Sequence, residues 1–161
     1  MTDFNDLQRV KDGKDAEKIV GAYLTFNLGY SKVEYAPDYS FPDWDIKAIK
    51  DNNYHYFEVK NDLMVKHTGN IFVEFYNTYY LRDAGALKSR ADYVVFITTL
   101  SPLQMIFVRH SVLFDYIRVK GYKAKSDAKY KIVQGGENNN ALGFLVPSSD
   151  MKKIGEIHYG T

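Results

Sequence analysis

Hydrophobic residues recur at every third or fourth position early in the chain, a spacing typical of an amphipathic helix. Residues 12–28 follow this spacing, with Asp12 in place for an N-cap and Gly29 just past the end. Glu17 falls in line with the apolar positions 20, 24 and 28 rather than opposite them. The pattern therefore predicts a helix that carries an acid on its buried side.

Further along, short segments alternate between apolar and polar residues, which favours half-buried β-strands. Residues 45–50 and 54–60 form two such segments around the turn-forming sequence Asp51-Asn52-Asn53. This arrangement predicts a β-hairpin. A short strand at residues 32–35 is expected before the hairpin, and an extended segment at residues 70–76 after it.

The second half of the chain contains its most apolar segments. Residues 93–99 and 104–109 flank Ser101-Pro102 and predict two adjacent, buried strands. The other elements expected here are helices at residues 84–90, 111–119 and 148–154 and a strand at residues 142–146. Together the elements predict an α/β fold, with a mixed central sheet flanked by helices on both faces. We expect one domain spanning residues 1–161.

Composition excludes several classes of protein. The chain is 45% hydrophobic and 25% charged, with a net charge of +1, as in ordinary globular proteins. It has no cysteine, which excludes disulfides, thiolate zinc sites and cysteine nucleophiles. We find neither a signal-peptide pattern nor an apolar run of about 20 residues, so we expect a cytoplasmic, intracellular protein without a membrane segment. Aromatic residues reach 16%, and we expect most of them in the core and some on stacking surfaces.

Candidate chemistry lies on the predicted hairpin. Glu58 and Lys60 occupy alternate positions of one strand, so they share a face. The position of Asp45 depends on the turn. If the two-residue loop is Asn52-Asn53, Asp45 lies opposite Lys60; if the loop is shifted by one residue, Asp45 lies opposite Glu58. A loop with an odd number of residues would separate Asp45 from both.

Converging carboxylates beside an ammonium indicate a site for Mg²⁺ or Mn²⁺, which prefer oxygen ligands. Such a cation would activate a water molecule and neutralise charge on a phosphate. Lys60 would orient the water and stabilise the developing negative charge. Glu17, on the helix above the same sheet, is a candidate for a further ligand.

The pattern resembles the PD-(D/E)xK nuclease superfamily, which includes restriction endonucleases, Holliday-junction resolvases and many phage nucleases. The matching residues are Pro42-Asp43-Trp44-Asp45-Ile46 and Phe57-Glu58-Val59-Lys60. The preceding helix with Glu17 and the later sequence 68–74 are similar to a phage-type branch. The resemblance covers about residues 12–98.

The resemblance implies a restriction-endonuclease-like fold and a metal-dependent endonuclease, of a kind that phages encode, that hydrolyses DNA, including structured or branched DNA. It implies that Asp45, Glu58, Lys60 and Glu17 are catalytic, and that the three acids among them bind the metal. Asp43 follows Pro42 directly and is an alternative first acid. Because Asp43 is one strand repeat, roughly 7 Å, further from Lys60, we assign the metal to Asp45.

Two other features have alternative interpretations. Glu74 alternates with aromatic residues and either supports the site or faces water. The basic segment that contains Lys123, Lys125 and Lys129 either binds the phosphate backbone or is a solvated connection. The alternative to a nuclease is a catalytically inactive nucleic-acid-binding module of the same fold, and a homodimer is possible in either case.

Overall fold

The computed structural model describes residues 4–37, 43–77, 82–83, 85, 88–124, 132–135 and 141–160. Its helices are α1 (Phe4–Phe26), α2 (Val65–Thr68), α3 (His110–Ala124) and α4 (Ser148–Ile154). The first five strands are β1 (Ser31–Tyr35), β2 (Ile46–Lys50), β3 (Asn53–Asn61), β4 (Asn70–Asn77) and β5 (Arg82–Asp83). The others are β6 (Tyr93–Leu100), β7 (Leu103–Arg109), β8 (Ile132–Gly135), β9 (Ala141–Pro147) and β10 (Glu156–Tyr159).

Six strands form a main sheet in the order β1-β2-β3-β6-β7-β10. Strands β3 and β6 are parallel, and the other neighbours in this sheet are antiparallel. The β2–β3 and β6–β7 hairpins were both predicted from the hydrophobic pattern. The mixed α/β class is therefore confirmed, while a restriction-endonuclease-like arrangement of the elements stays a prediction.

A second, antiparallel sheet has the order β5-β4-β9-β8. Its central ladder joins β4 to β9, from Asn70 opposite Pro147 to Asn77 opposite Ala141. The sequence predicted extended structure in both strands but not their pairing. Strands so distant in sequence carry no local signal of their partner, because packing against the rest of the fold selects it.

The two faces of the main sheet belong to two separate hydrophobic cores. On one face α1 contributes Val20 and Leu24, which pack with Ile46, Phe57 and Val95. On the opposite face, side chains of β6 and β7 pack against the second sheet and against Leu113 of α3 and Met151 of α4. Helices thus lie on both sides, as expected, and the second sheet is an addition that was not predicted.

Several boundaries differ from the predicted ones. Helix α1 begins eight residues before residue 12, because apolar residues at positions 7 and 10 continue the helical spacing of the sequence, so Asp12 is an interior residue and not the N-cap. The edge strand β10 was missed, because its short sequence Glu156–Tyr159 has only weak alternation. Helix α4 has the bounds that were predicted. The helix expected at residues 84–90 lies partly outside the described residues.

Among the described helices, none combines the length and apolar character needed to span a lipid bilayer.

Candidate active site

The turn of the β2–β3 hairpin determines where Asp45 lies. Lys50 pairs with Asn53, so the loop consists of Asp51 and Asn52, whose φ angles are 52° and 64°. Two central residues with positive φ are typical of a type I′ turn, which suits the twist of a hairpin. The register continues to Ile46 opposite Phe57, so Asp45 lies beside Glu58 and not opposite Lys60.

Asp45 is fixed by both neighbouring strands at the point where the β2–β3 ladder ends. Strand β3 continues beyond Phe57, whereas β2 begins only at Ile46. The Val59 amide donates a hydrogen bond of 2.7 Å to Asp45 Oδ2. The Asp45 amide donates to the Phe57 carbonyl, and the Asp45 carbonyl accepts from the Ala36 amide. The carboxylate thus accepts a backbone hydrogen bond from β3 at a position where β2 no longer pairs with it.

Glu58 and Lys60 form an ion pair on the face of β3 opposite Phe57. Lys60 Nζ lies 2.9 Å from Glu58 Oε1, and the side chains of Lys60 and Glu58 are 35% and 13% exposed, respectively. Burial lowers the pKa of Lys60, but attraction to Glu58, Asp45 and Glu74 outweighs it and raises the pKa above its ordinary value. Lys60 is therefore a permanent cation at neutral pH.

Glu17 is buried on α1, in line with Val20 and Leu24, as the sequence predicted. Its Oε2 atom lies 3.3 Å from Lys14 Nζ. Burial raises the pKa of Glu17; Lys14 opposes this shift and the charge of Glu58 adds to it. The helix thus holds an acid near the hairpin carboxylates.

The carboxylates repel one another, and Asp45 shows this most clearly. Burial raises the pKa of Asp45 to about 7, with the charges of Glu58 and Glu17 adding to the shift. The Val59 amide and Lys60 act in the opposite direction. A cation would relieve this repulsion, because it favours the ionised form of each acid.

Glu74 reaches the same site from the second sheet. Burial raises the pKa of Glu74, the charge of Lys60 lowers it, and the charge of Glu58 raises it. The β4–β9 register shifts directly after Glu74, which is a β-bulge of the kind that can redirect a side chain. Gly85 has a φ of +60°, and a Cβ there would collide with the backbone of Glu74. Glu74 thus interacts with the Glu58–Lys60 pair through charge, and the bulge and Gly85 restrict the backbone around it.

Asp43 contacts a different partner. Its Oδ1 atom lies 3.6 Å from Arg90 Nε, and its carbonyl accepts a 2.8 Å hydrogen bond from the Arg90 amide. Asp43 thus connects the segment before β2 to the segment before β6. This placement favours Asp45 over Asp43 as the first acid of the site.

Tyr35 is a neighbour of the site that sequence analysis missed. A Cβ on Gly21 would collide with the Tyr35 hydroxyl, so the ring of Tyr35 ends against the helix one turn after Glu17. Burial and the charge of Glu17 raise the pKa of Tyr35. A glycine on the buried side of a helix signals a close approach, but it does not identify the residue that approaches.

The predicted phosphate-binding lysines are only partly described. Lys123 is in the last turn of α3, and Lys125 and Lys129 lie outside the described residues. Their role stays a prediction.

The site offers carboxylate oxygens and no sulfur, which fits the hard cations Mg²⁺ and Mn²⁺. Within the described part of the chain, no three His, Cys, Asp or Glu residues lie together as a group that could hold a metal ion. Mg²⁺ commonly binds one or two carboxylates and completes its shell with water and substrate phosphate. The donor set is therefore compatible with a cation that the protein holds only in part.

Comparison of the chain with protein-family models, with curated proteins and with solved structures found no match. The resemblance to PD-(D/E)xK nucleases therefore depends on the motif residues alone.

Proposed function

We propose that this protein is a metal-dependent nuclease that hydrolyses phosphodiester bonds in DNA. The main support is the arrangement around the end of the β2–β3 ladder. There the Asp45 carboxylate is fixed by the Val59 amide beside the Glu58–Lys60 ion pair, and the buried Glu17 interacts with Glu58 and Asp45 through its charge. Packing of the core alone does not explain two acids and a lysine side by side, because buried charges lower stability unless they are compensated.

Asp45 and Glu58 are the residues that would hold Mg²⁺ or Mn²⁺, and Glu17 would hold a water molecule bound to the ion. A bound ion of this kind supplies Lewis acidity, which lowers the pKa of water and neutralises negative charge on a phosphate. Asp45 must be ionised to act as a ligand. Because its pKa is about 7, a nearby cation would increase the ionised fraction of Asp45 at neutral pH.

Lys60 supplies the second positive charge. In the hydrolysis, the oxygen of water forms a bond to phosphorus, the bond from phosphorus to one sugar oxygen breaks, and a proton goes to that oxygen. Because the pKa of Lys60 is raised, its ammonium is not the base that takes the proton from water. It instead orients the water and stabilises charge on the phosphate oxygens.

The alternative is a nucleic-acid-binding module of the same architecture without catalysis. Two observations favour this alternative: Lys60 already contacts one oxygen of Glu58, and the described residues include no group of three His, Cys, Asp or Glu residues that could hold a metal ion. The two functions differ in whether the protein cuts DNA at all.

Asp45→Asn separates these functions, with Asp43→Asn as the matched control. The amide oxygen that Asp45→Asn introduces can still accept the Val59 hydrogen bond, so the fold should persist while the metal-binding charge is removed. We expect wild type to cut DNA with Mg²⁺ or Mn²⁺ and not in EDTA. Asp45→Asn should reduce the rate by roughly 10² or more, the scale of deleting an electrostatic group of a catalytic site.

The Asp43→Asn protein should remain within a few-fold of wild type, and both variants should bind DNA in EDTA as wild type does. Full activity in EDTA would refute metal dependence. Binding without cleavage by wild type, across duplex, branched and single-stranded DNA, would favour the binding module.

A further inference from the structure

The face of the β2–β3 hairpin that points away from α1 carries aromatic side chains. In β3, Tyr54 and Tyr56 alternate with His55 and Phe57, whose rings contact Tyr30 just after the C-terminal end of α1. The ring of Trp44 lies against Tyr56, with centroids 5.7 Å apart and planes inclined by 53°. Lys47 pairs with Tyr56 across the ladder. We refer to Trp44, Lys47, Tyr54 and Tyr56 as the aromatic strip.

The aromatic strip lies outside both cores. Tyr54 is 50% exposed, and the other three residues are half-buried. The core on this side of the sheet takes its sheet residues from β6, β7, β4 and β9, and no described residue of β2 or β3 belongs to it. Lys47 Nζ lies 4.3 Å from the centroid of the Tyr54 ring, so a cation is held at the surface of the strip.

The aromatic strip leads directly to the candidate active site. Tyr54, Tyr56, Glu58 and Lys60 occupy successive alternate positions, so they share one face and follow one another at roughly 7 Å intervals. A base stacked on Tyr56 would place the adjoining phosphate close to the Glu58–Lys60 pair.

The spacing and chemistry of the strip fit an unpaired strand better than a duplex. Neighbouring bases in a duplex are about 3.4 Å apart along each strand and stack on one another, so their faces are closed to protein side chains. Aromatic residues at strand positions about twice that distance apart suit bases that have been separated from their neighbours. An unpaired strand exposes such faces, whereas a continuous duplex does not.

Charges around the strip are close to balanced. Arg90, whose side chain is 81% exposed, adds to Lys47 on the basic side. The acids at the border of the strip are Glu34, Asp43 and Asp92. Stacking rather than long-range attraction should therefore supply most of the affinity, and the salt dependence of binding at this surface should be shallow.

We infer that the aromatic strip binds an unpaired DNA strand and directs it into the site of Asp45, Glu58 and Lys60. The substrate class is then DNA with a single-stranded tail, flap or gap. The cleavage part of this inference rests on the proposed nuclease function, whereas the binding part does not.

The binding test uses Tyr54, the most exposed ring of the strip. Single-stranded DNA that carries 2-aminopurine and the blunt duplex of the same sequence are titrated in EDTA with wild type, Tyr54→Ala and Tyr54→Phe. The control is Tyr159→Ala, which removes an exposed tyrosine from the opposite edge strand of the main sheet. We expect wild type to prefer the single strand and to change the probe's fluorescence on stacking.

Tyr54→Ala should bind the single strand about 10-fold more weakly, the scale of removing one stacked base, and should bind the duplex unchanged. Tyr54→Phe and Tyr159→Ala should behave as wild type. The inference is overturned if Tyr54→Ala binds the single strand as wild type does, or if wild type prefers the blunt duplex.

A cleavage test with Mn²⁺ separates failure of the strip from failure of the nuclease. A duplex with a single-stranded tail should be cut in or beside the tail, at a rate that Tyr54→Ala reduces. If wild type cuts no DNA, and Tyr54→Ala still binds the single strand more weakly, the binding role of the strip is supported and the nuclease proposal fails. If wild type and Tyr54→Ala cut the blunt duplex and the tailed duplex equally well, the nuclease stands and the strip proposal fails.

Discussion

At the scale of single residues, charge pairs organise the site. Lys60 contacts Glu58 directly and is attracted by Asp45 and Glu74, so one cation offsets several acids. Burial strengthens these interactions because water screens them less. Substitution of one member therefore shifts the pKa of the others.

Lys60→Ala tests whether the ammonium acts in catalysis and not in metal binding. We expect Mn²⁺ binding, measured by calorimetry, to be retained, because an ammonium is not a metal ligand. The cleavage rate should fall by roughly 10² or more. The control is Lys66→Ala, which removes an exposed lysine of α2. Cleavage by Lys60→Ala at the wild-type rate would show that Lys60 is only a surface residue.

Asp62 allows a test of pH dependence away from the metal ligands. It lies just after β3, and its Oδ2 atom accepts a 2.8 Å hydrogen bond from the Phe72 amide of β4. Burial raises the pKa of Asp62, and the amides of Phe72 and Met64 oppose this shift. The folded state thus holds the proton more tightly than the unfolded state does. The stabilisation is complete below the unfolded pKa and is lost as pH rises through the folded pKa.

Asp62→Asn should remove this loss, because the amide is neutral and its oxygen can still accept the Phe72 hydrogen bond. We expect the melting temperature of the variant to match wild type under acidic conditions and to exceed it at neutral pH. Asp15→Asn, at an exposed position of α1, is the control for the removal of one negative charge. A melting temperature below that of wild type at neutral pH would contradict the expectation.

At the scale of elements, the loop of the β2–β3 hairpin sets the register of the site. Asp51 and Asn52 both have positive φ, a conformation that Asn, Asp and Gly adopt most easily. Their two-residue loop places Asp45 beside Glu58. One residue more or less would shift the pairing and turn side chains to the other face.

Insertion of one glycine between Asp51 and Asn52 should therefore disrupt the site more than the fold. We expect cleavage to be abolished while circular dichroism still shows a folded protein. Asn52→Gly keeps the loop length and should retain activity with equal or slightly higher stability. Asn52→Ala should cost about 1 kcal/mol in the free energy of unfolding, because alanine adopts positive φ poorly. Wild-type activity after the insertion would show that register does not control the site.

At the scale of the whole molecule, the second sheet and the main sheet meet near the end of β3. Asp62 joins the end of β3 to β4 by a hydrogen bond. The negative charge of Glu74, on β4, raises the pKa of Lys60 on β3. The site is thus assembled from α1, the hairpin and the second sheet.

The basic segment gives a prediction at this scale, because binding of the phosphate backbone there would extend the substrate surface beyond the site. Replacing Lys123, Lys125 and Lys129 together with glutamine should weaken DNA binding in EDTA and leave Mn²⁺ binding unchanged. The slope of log affinity against log salt should become shallower, by up to roughly 0.9 for each duplex phosphate that the protein no longer neutralises. Unchanged affinity and slope would show that this segment is not part of the DNA surface.

The sequence by itself determined the main helix, the central hairpins and the faces of their side chains. Hydrophobic spacing predicted the helix that buries Glu17, both hairpins of the main sheet and the shared face of Glu58 and Lys60. These features were predictable because helical and extended backbones repeat over a few residues, and each repeat fixes where successive side chains point.

Only the tertiary structure decided which distant residues meet. The hairpin sequence allowed two loops, and the folded register selected the one that puts Asp45 beside Glu58. The β4–β9 pairing and the charge interaction of Glu74 with Lys60 had no local signal, and Gly21 signalled a close approach without identifying Tyr35. Such contacts are selected by the burial of apolar surface over the whole chain, because many strand partners are locally equivalent and only one set fills both cores.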